Sequence, residues 1–355
     1  MKIGIIGLPN SGKKTLFKLL TGVQVAAGGE LKSIPGIAEI RDSRFMFLSG
    51  LYKPKKNAPA QISMELMPDL DRRIIQEGNI FKDIANLDAI CFVVRSFNDE
   101  SVYHVNGSVD PVRDIEEITG ELILHDLLFI EKRMERIAKN LKKAGADQYK
   151  KEEALLLAFK EHLEKDLPLR TCEITEEDKK IILSYPFITL KDLIIVLNAG
   201  DNEISDMKLK DMLGSKYAAH RINIMQISAK LEAEIQALES PEERAEFMAA
   251  SGISEPAVNL LTQLCMKALG LISFFTVGED EVKQWLIKKD SLAPEAAGAI
   301  HSDIERGFIR AEVMKYDEFV SYGSEEKLKQ AGKYYIMGKD YAVGDADIIN
   351  FRFNV

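Results

Sequence analysis

The feature that most constrains this chain is a glycine-bounded loop near its start, Gly7-Leu-Pro-Asn-Ser-Gly-Lys-Lys14. It follows an apolar run, Lys2-Ile-Gly-Ile-Ile-Gly7, that is typical of a buried parallel strand, and a helical pattern begins near Lys13. The spacing fits G-x-x-x-x-G-K, in which backbone N–H groups surround phosphate oxygens and the next helix directs its positive end at the anion. A strand, this loop and a helix in that order predict a nucleotide-binding α/β domain. The alternative is an ordinary glycine-containing turn.

The residues of the loop indicate how it would hold a nucleotide. We expect the phosphates to be surrounded by Asn10, Ser11, Gly12, Lys13, Lys14 and Thr15, with Lys13 reaching the β- and γ-phosphates. A Ser or Thr hydroxyl normally follows that lysine and ligates Mg²⁺, whereas the ammonium of Lys14 has no lone pair for a metal. Thr15 is rotated by roughly 100° on the helix and should not substitute. Magnesium binding is therefore doubtful, and Lys14 itself could neutralise phosphate.

A second motif predicts where the base would lie. Asn198-Ala-Gly-Asp201 follows the apolar run Leu193–Leu197, as N-K-x-D follows a strand in GTPases. A carboxylate at Asp201 could accept two hydrogen bonds from guanine, and it could not pair that way with adenine. Ser228, Ala229 and Lys230 would form a loop beside the base. An ordinary Asn/Gly/Asp turn is the alternative. The predicted ligand is GTP or ATP, or the corresponding diphosphate.

The region between the strands Ala89–Val94 and Leu193–Leu197 has a different pattern. Its apolar residues alternate at spacings of four and three, the rhythm of packed helices: Ile123, Leu127, Ile130, Met134, Ile137, Leu141, and then Leu156, Phe159 and Leu163. Ala144-Gly-Ala-Asp147 supplies a helix stop. We therefore expect an antiparallel helical hairpin inserted in the α/β domain.

The hairpin also carries charge. Its basic residues are Lys132, Arg133, Arg136, Lys139, Lys142 and Lys143, interleaved with Glu131 and Glu135. They predict either a contact for RNA phosphate, reinforced by Lys53, Lys55 and Lys56, or a solvated helix face with ion pairs one turn apart.

The C-terminal segment predicts a small α+β domain. Ile272–Val277 and Glu281–Ile287 are interpreted as a β-hairpin, and Phe308–Val313 and Ile348–Phe353 as further strands. Between them Pro294 opens a helix with Ala297, Ile300 and Ile304 on one face, which Gly307 ends. His301 in that helix could be catalytic or, as we expect, a hydrogen-bonded structural residue.

Composition bounds the class of protein. The 355 residues are 46% hydrophobic and carry a formal net charge of −9, which argues against a general nucleic-acid coat. The three cysteines, Cys91, Cys172 and Cys265, have no metal-binding spacing and favour a reducing compartment. We find no signal-peptide pattern and no apolar stretch long enough for a membrane span, so we expect a cytoplasmic protein.

Several segments resemble the YchF subfamily of Obg-like P-loop NTPases. They are the loop Gly7–Phe17, Lys53–Lys56, Asp88–Arg95 and, at the C-terminus, Phe275–Gly278, Ala293–Gly298, His301–Val313, Gly338–Tyr341 and Phe351–Val355. The C-terminal segments are similar to the family's TGS domain. The resemblance covers nearly the whole chain and implies a cytosolic, often ATP-preferring protein that associates with ribosomes or other translation components.

This resemblance implies an α/β fold class: a P-loop NTPase (G domain) with an inserted antiparallel helical hairpin and a C-terminal α+β TGS (β-grasp) domain. The predicted domains are residues 1–110 with 176–271 for the G domain, 111–175 for the arm and 272–355 for the TGS domain. The ATP-preferring relatives usually carry Glu where this chain has Asp201, which shifts the expectation toward guanine.

The chain departs from the family pattern where magnesium and the γ-phosphate are normally held. An ungapped alignment puts Leu66 at the Asp of D-x-A-G and Asp69 at its Gly, although a slip of one residue would place Glu65 at the acidic position. Glu30 falls near the threonine of the first switch, and the second switch is shortened around Gln76–Asn79. Together with Lys14, these changes suggest a lost metal site.

The leading hypothesis is a purine-nucleotide-binding regulator associated with translation, with weak or absent hydrolysis. One alternative is an active Obg-like ATPase or GTPase. Another is an RNA- or protein-binding scaffold that uses the arm and the TGS domain with an empty phosphate loop.

Overall fold

The computed structural model describes residues 1–26, 32–140, 147–251, 253 and 255–354. They form two compact units, Met1–Gly36 with Ser63–Ala257 and Ile37–Ile62 with Val258–Val355. The finer division into a two-segment G domain, an arm and a TGS domain stays a prediction. No helix in the described part of the chain is both long and apolar enough to cross a membrane.

Strands and helices alternate along the first half of the chain, and strands dominate its C-terminal part. In chain order the strands are β1 (Lys2–Ile6), β2 (Ile34–Glu39), β3 (Lys56–Ala58), β4 (Gln61–Leu66), β5 (Ala89–Arg95), β6 (Asp192–Asn198), β7 (Ile222–Ile227), β8 (Leu271–Thr276), β9 (Glu281–Lys288), β10 (Phe308–Met314), β11 (Tyr335–Met337) and β12 (Ile348–Phe353). The α-helices are α1 (Lys13–Thr21), α2 (Ser43–Tyr52), α3 (Arg72–Glu77), α4 (Asn79–Ala85), α5 (Pro111–Asn140), α6 (Asp147–Leu163), α7 (Glu176–Ile182), α8 (Lys208–Lys216), α9 (Ala229–Ala237), α10 (Pro241–Ala250), α11 (Ala257–Ala268), α12 (Ala293–Ile300), α13 (Ser302–Arg306), α14 (Tyr316–Tyr322) and α15 (Glu325–Gln330). Short 3-10 helices lie at Leu169–Thr171, Asp201–Glu203 and Ala218–His220.

The first unit is built on a parallel sheet with the strand order β4-β1-β5-β6-β7. Every residue of β5 is buried, and so is every residue of β6 after its first. Such continuous apolar runs are expected where helices cover both faces of a parallel sheet. The predicted α/β domain is therefore confirmed, and β1, β5 and β6 coincide with the three predicted strands.

The helices α5 and α6 form the predicted insertion. Its core contains the residues that the four-three spacing selected, including Ile123, Ile130, Ile137, Leu156 and Phe159. Arg133 donates a hydrogen bond to Glu152 on the facing helix at 2.5 Å, so its guanidinium forms a contact inside the hairpin. The predicted stop at 144–146, Leu141 and the basic residues Lys142 and Lys143 lie outside the described residues, and a coiled-coil geometry stays a prediction.

The second unit contains a mixed sheet with the order β11-β10-β12-β8-β9-β3. The strands β8 and β9 form the predicted antiparallel hairpin, β10 pairs antiparallel with β12, and β12 pairs parallel with β8. The helix α12 packs its alanines against apolar residues of this sheet: Ala293, Ala296 and Ala297 share a core with Phe274, Phe308 and Phe351. The predicted α+β domain and its four strands are confirmed.

The predicted single helix from Pro294 to Gly307 is wrong in one respect. The chain breaks it at His301, whose φ of −163° is extended, into α12 and α13. The Nδ1 atom of His301 accepts a hydrogen bond from the backbone N–H of Asp303 at 3.1 Å. The imidazole therefore caps α13, a local hydrogen bond that competes with continued helix and that the apolar spacing does not reveal.

A buried carboxylate organises one side of the second sheet. Glu312 on β10 accepts hydrogen bonds from Arg352 at 3.0 Å, from Arg310 at 3.0 Å and from the hydroxyl of Tyr334 at 3.1 Å. The hydrogen bond from Arg352, joined by those from Arg310 and Tyr334, outweighs burial and lowers the pKa of Glu312 from 4.5 to about 2. The ionised form is thus favoured by the folded state.

Because the folded pKa of Glu312 is depressed, its stabilising contribution is present above about pH 4.5 and is lost as the pH falls toward 2. We expect Glu312→Gln to destabilise this unit by roughly 1–3 kcal/mol at pH 7. The difference from the unchanged protein should shrink at pH 3. Urea unfolding followed by the fluorescence of Trp285, the only tryptophan, reads this unit directly. The exposed Glu279→Gln is the control, and an equal pH response of both variants would contradict the assignment.

Candidate functional site

The phosphate loop occupies the turn between β1 and α1. Gly12 has a φ of 91°, a left-handed conformation that favours glycine, immediately before the first residue of α1. A side chain at Gly7 would place its Cβ 2.6 Å from the carbonyl oxygen of Val93, so the loop also needs glycine there for space. Glycine is therefore favoured on steric grounds at both positions of the motif. The loop leads directly into the N-terminus of α1.

Lys13 is almost fully enclosed in this loop. Its side chain is 3% exposed, and its ammonium donates to the carbonyl oxygen of Gly7 at 3.2 Å and to a carboxylate oxygen of Asp69. Burial lowers the pKa of Lys13, while the Asp69 carboxylate acts in the opposite direction and the neighbouring charge of Lys14 lowers it further. A buried ammonium of this kind needs an anionic partner, and Asp69 is the partner present.

Lys14 and Thr15 follow in the first turn of α1. Both line a cavity of about 530 Å³ together with Lys18, Gly22 and Gln24. The two cations Lys13 and Lys14 therefore lie at the N-terminus of one helix, where the helix dipole also favours an anion. This end of the helix is suited to phosphate.

The predicted base motif is joined to the phosphate loop by a buried amide. The Nδ2 atom of Asn198 donates to the carbonyl oxygen of Ser11 at 3.0 Å, and its Oδ1 atom accepts from the N–H of Ala229 at 3.0 Å. Asn198 is 5% exposed. One side chain thus holds the phosphate loop and the loop after β7 at fixed positions.

Asp201 is held by the third predicted segment. Its Oδ1 atom accepts from the hydroxyl of Ser228 at 2.5 Å, and its Oδ2 atom lies 3.1 Å from the ammonium of Lys230. Burial acts to raise the pKa of Asp201, but these two partners outweigh it and the pKa lies below its ordinary value. The carboxylate is therefore ionised and oriented, as an acceptor for a base requires.

These segments meet in one cavity of about 560 Å³. Its lining includes Gly12 and Thr15 from the phosphate side, and Asn198, Asp201, Ala229 and Lys230 from the base side. The volume lies within the range of small-molecule sites. The predicted residues that do not line it are Asn10, Ser11, Lys13, Lys14 and Ser228. The side chain of Asn10 donates to the carbonyl of Tyr103 at 3.1 Å, and the buried hydroxyl of Ser11 has no hydrogen-bond partner in the described chain.

Residues outside the predicted motifs also line this cavity. Phe97, Asn98 and Asp99 line the same cavity, and Arg95 lies beneath them with its guanidinium 4.4 Å from the centre of the Phe97 ring. These residues follow β5, whose carboxyl end lies beside those of β1 and β6. The rule that ligands bind at the carboxyl ends of parallel strands could have identified them.

The positions at which the sequence suggests a lost metal site have other contacts. Leu66 is 2% exposed at the end of β4, and the carboxylate of Glu65 accepts from the hydroxyl of Ser33 and lies 3.6 Å from the ammonium of Lys2. Gln76 and Glu77 end α3 and Asn79 begins α4, while Glu30 lies outside the described residues. Among described residues, no group of three or more His, Cys, Asp or Glu side chains could hold a metal.

Comparison with known proteins gives a consistent family. The YchF-GTPase_C family model, described as a protein of unknown function (DUF933), matches residues 271–354. The chain is 39% identical to the ribosome-binding ATPase YchF of Bacillus subtilis (strain 168), with 99% of both chains covered. It is 36% identical to Obg-like ATPase 1 of Oryza sativa subsp. indica, covering all of this chain and 92% of that protein. The solved structure of the Schizosaccharomyces pombe YchF GTPase matches with a TM-score of 0.83 and 28% identity, over 99% of this chain and 97% of that one.

The bridging role of Asn198 gives a first test of the site. We expect Asn198→Ala to cost roughly 1–3 kcal/mol of stability, because it leaves the carbonyl of Ser11 and the N–H of Ala229 without their buried partner. Hydrogen–deuterium exchange of residues 7–13 and 227–231 should accelerate together. Asn202→Ala, an exposed neighbour in the same cavity, should leave both segments unchanged. Faster exchange in only one segment would show that Asn198 does not couple the two loops.

Proposed function

The chain belongs to the YchF family, and from that premise we propose that its first unit binds a purine nucleotide without depending on magnesium and hydrolyses it weakly or not at all. The observation that carries this proposal is the cavity of about 560 Å³ that Gly12, Thr15, Asn198, Asp201 and Lys230 line together. The relatives whose names contain ATPase or GTPase support the nucleotide class.

Each predicted residue has a physical role in this proposal. Lys13 and the backbone N–H groups from Ser11 to Thr15 hold the phosphates at the start of α1. Asn198 positions the phosphate loop against the loop that carries Ala229. Asp201, ionised and oriented by Ser228 and Lys230, accepts hydrogen bonds from the base, which favours guanine over adenine.

The weak hydrolysis follows from the groups that surround the phosphate loop. A metal ion normally bridges the β- and γ-phosphates and neutralises the charge that develops during transfer. In this chain Lys14 replaces the hydroxyl ligand and Leu66 is apolar, so one cationic and one apolar side chain stand where the family supplies metal ligands. Lys14 can neutralise phosphate in the ground state, but it cannot polarise two phosphates as a bridging dication does.

The partner in this proposal is the translation machinery of the cytoplasm. The ribosome-binding name of the Bacillus relative supports it, and so does the exposed basic face of the arm, Lys132, Arg136 and Lys139. The overall charge of −9 leaves such a local patch as the route to RNA phosphate.

Calorimetric titration with GDP, GTP, ADP and ATP tests the nucleotide site. Because no magnesium ligand is expected, excess EDTA should change the affinity by less than about twofold. Lys13→Ala should weaken binding about tenfold or more, since it removes a charge-assisted hydrogen bond to phosphate. Lys82→Ala, an exposed lysine elsewhere in this unit, is the control.

The same titration separates the alternatives. Magnesium-dependent turnover that Lys13→Ala abolishes would establish an active NTPase in place of this proposal. The absence of binding of any of the four nucleotides would leave a scaffold with an empty phosphate loop.

Co-sedimentation with ribosomes tests the partner. We expect the triple variant Lys132→Ala, Arg136→Ala and Lys139→Ala to co-sediment with ribosomes less than the unchanged protein, because it removes electrostatic contacts to RNA phosphate. Added salt should also reduce co-sedimentation of the unchanged protein. The matched control removes three exposed lysines elsewhere in the first unit, Lys82, Lys180 and Lys208. Equal sedimentation of both triple variants would locate the contact away from the arm.

A further inference from the structure

Asp69 stands where the chain turns from β4 toward the phosphate loop. The N–H of Met67 donates to the carbonyl of Ile5 at 3.0 Å, and the N–H of Leu70 donates to the carbonyl of Gly7 at 3.0 Å. These two backbone bonds hold residues 67–70 along β1 and the start of the loop. Backbone hydrogen bonds on both sides thus fix the position of Asp69, and its carboxylate contacts Lys13.

The ammonium of Lys13 has few positions left for a ligand. It carries three hydrogens, of which one is directed at Gly7 and one at Asp69. In a loaded phosphate loop this ammonium reaches both the β- and γ-phosphates. The carboxylate of Asp69 is therefore an internal anion bound to the group that a γ-phosphate would require.

The two kinds of nucleotide place different demands on this arrangement. A diphosphate ends at the β-phosphate, so Lys13 can contact it and keep Asp69. A triphosphate brings more negative charge toward the Asp69 carboxylate, and it must also displace that carboxylate from Lys13. The side chain of Asp69 is one quarter exposed.

We propose that Asp69 substitutes for the γ-phosphate, so that this site selects nucleoside diphosphates over triphosphates. The inference rests on the proposed nucleotide site and assigns its ligand class. The Asp69 carboxylate is already bound to the Lys13 ammonium that a γ-phosphate would need. A β-phosphate can still contact that ammonium. The specificity therefore resides in one side chain.

The test is a pair of matched titrations in EDTA, GDP against GTP and ADP against ATP, on the full chain. We expect the unchanged protein to bind the diphosphate about tenfold or more tightly than the triphosphate of the same base. Asp69→Asn keeps the size of the side chain and removes its charge, and Asp69→Gly introduces the residue of the family motif. Both variants should strengthen triphosphate binding about tenfold and change diphosphate binding by less than about threefold.

Asp83→Asn removes an exposed carboxylate of the same unit and is the control, which should leave both affinities unchanged. Equal affinity of the unchanged protein for di- and triphosphate overturns this inference while the proposed nucleotide site stands. Triphosphate binding that neither Asp69 variant strengthens also overturns it. If magnesium instead strengthens triphosphate binding and Asp69→Asn removes that effect, Asp69 is a metal ligand and the inference fails. Failure of every nucleotide to bind overturns both proposals together.

Discussion

The parallel pairing of β4, β1, β5 and β6 is the constraint on which the candidate site depends. Parallel strands direct their carboxyl ends to the same edge of a sheet, so the loops that follow them converge there. Ser11 and Asn198 are 187 positions apart in the chain, yet a single hydrogen bond joins them because their strands end at this edge. The same geometry brings Asp69 to Lys13 and Phe97 to the cavity.

A second consequence of this convergence is electrostatic. Lys13 is buried, and a buried ammonium is tolerated only when polar groups replace its water. In a nucleotide-binding loop the phosphates can do so, whereas this chain provides a carboxylate from the segment that follows β4. The family motif has glycine at that position by ungapped alignment, and glycine leaves the ammonium to the ligand. One substitution therefore changes which anion neutralises the loop.

The elements that the sequence predicts best are those with strong local periodicity. The strands β1, β5, β6, β8 and β10 and the helical insertion follow from apolar runs and from alternating spacing. The break at His301 was missed because the alanines and isoleucines on either side continue a helical pattern across it. Only the extended backbone of His301 and its hydrogen bond to Asp303 reveal the break.

The sequence by itself predicted the phosphate loop, the base motif and the replacement of a metal ligand by Lys14, because each is a local pattern of residue types with a chemical requirement. The tertiary structure decided which of those residues share a cavity and what Lys13 contacts. An ungapped alignment could place Asp69 at the position of a glycine in the family motif. It could not show that Asp69 forms an ion pair with Lys13, which is 56 positions away. That pair exists because β1 and β4 are parallel neighbours, a long-range relation that no local pattern encodes.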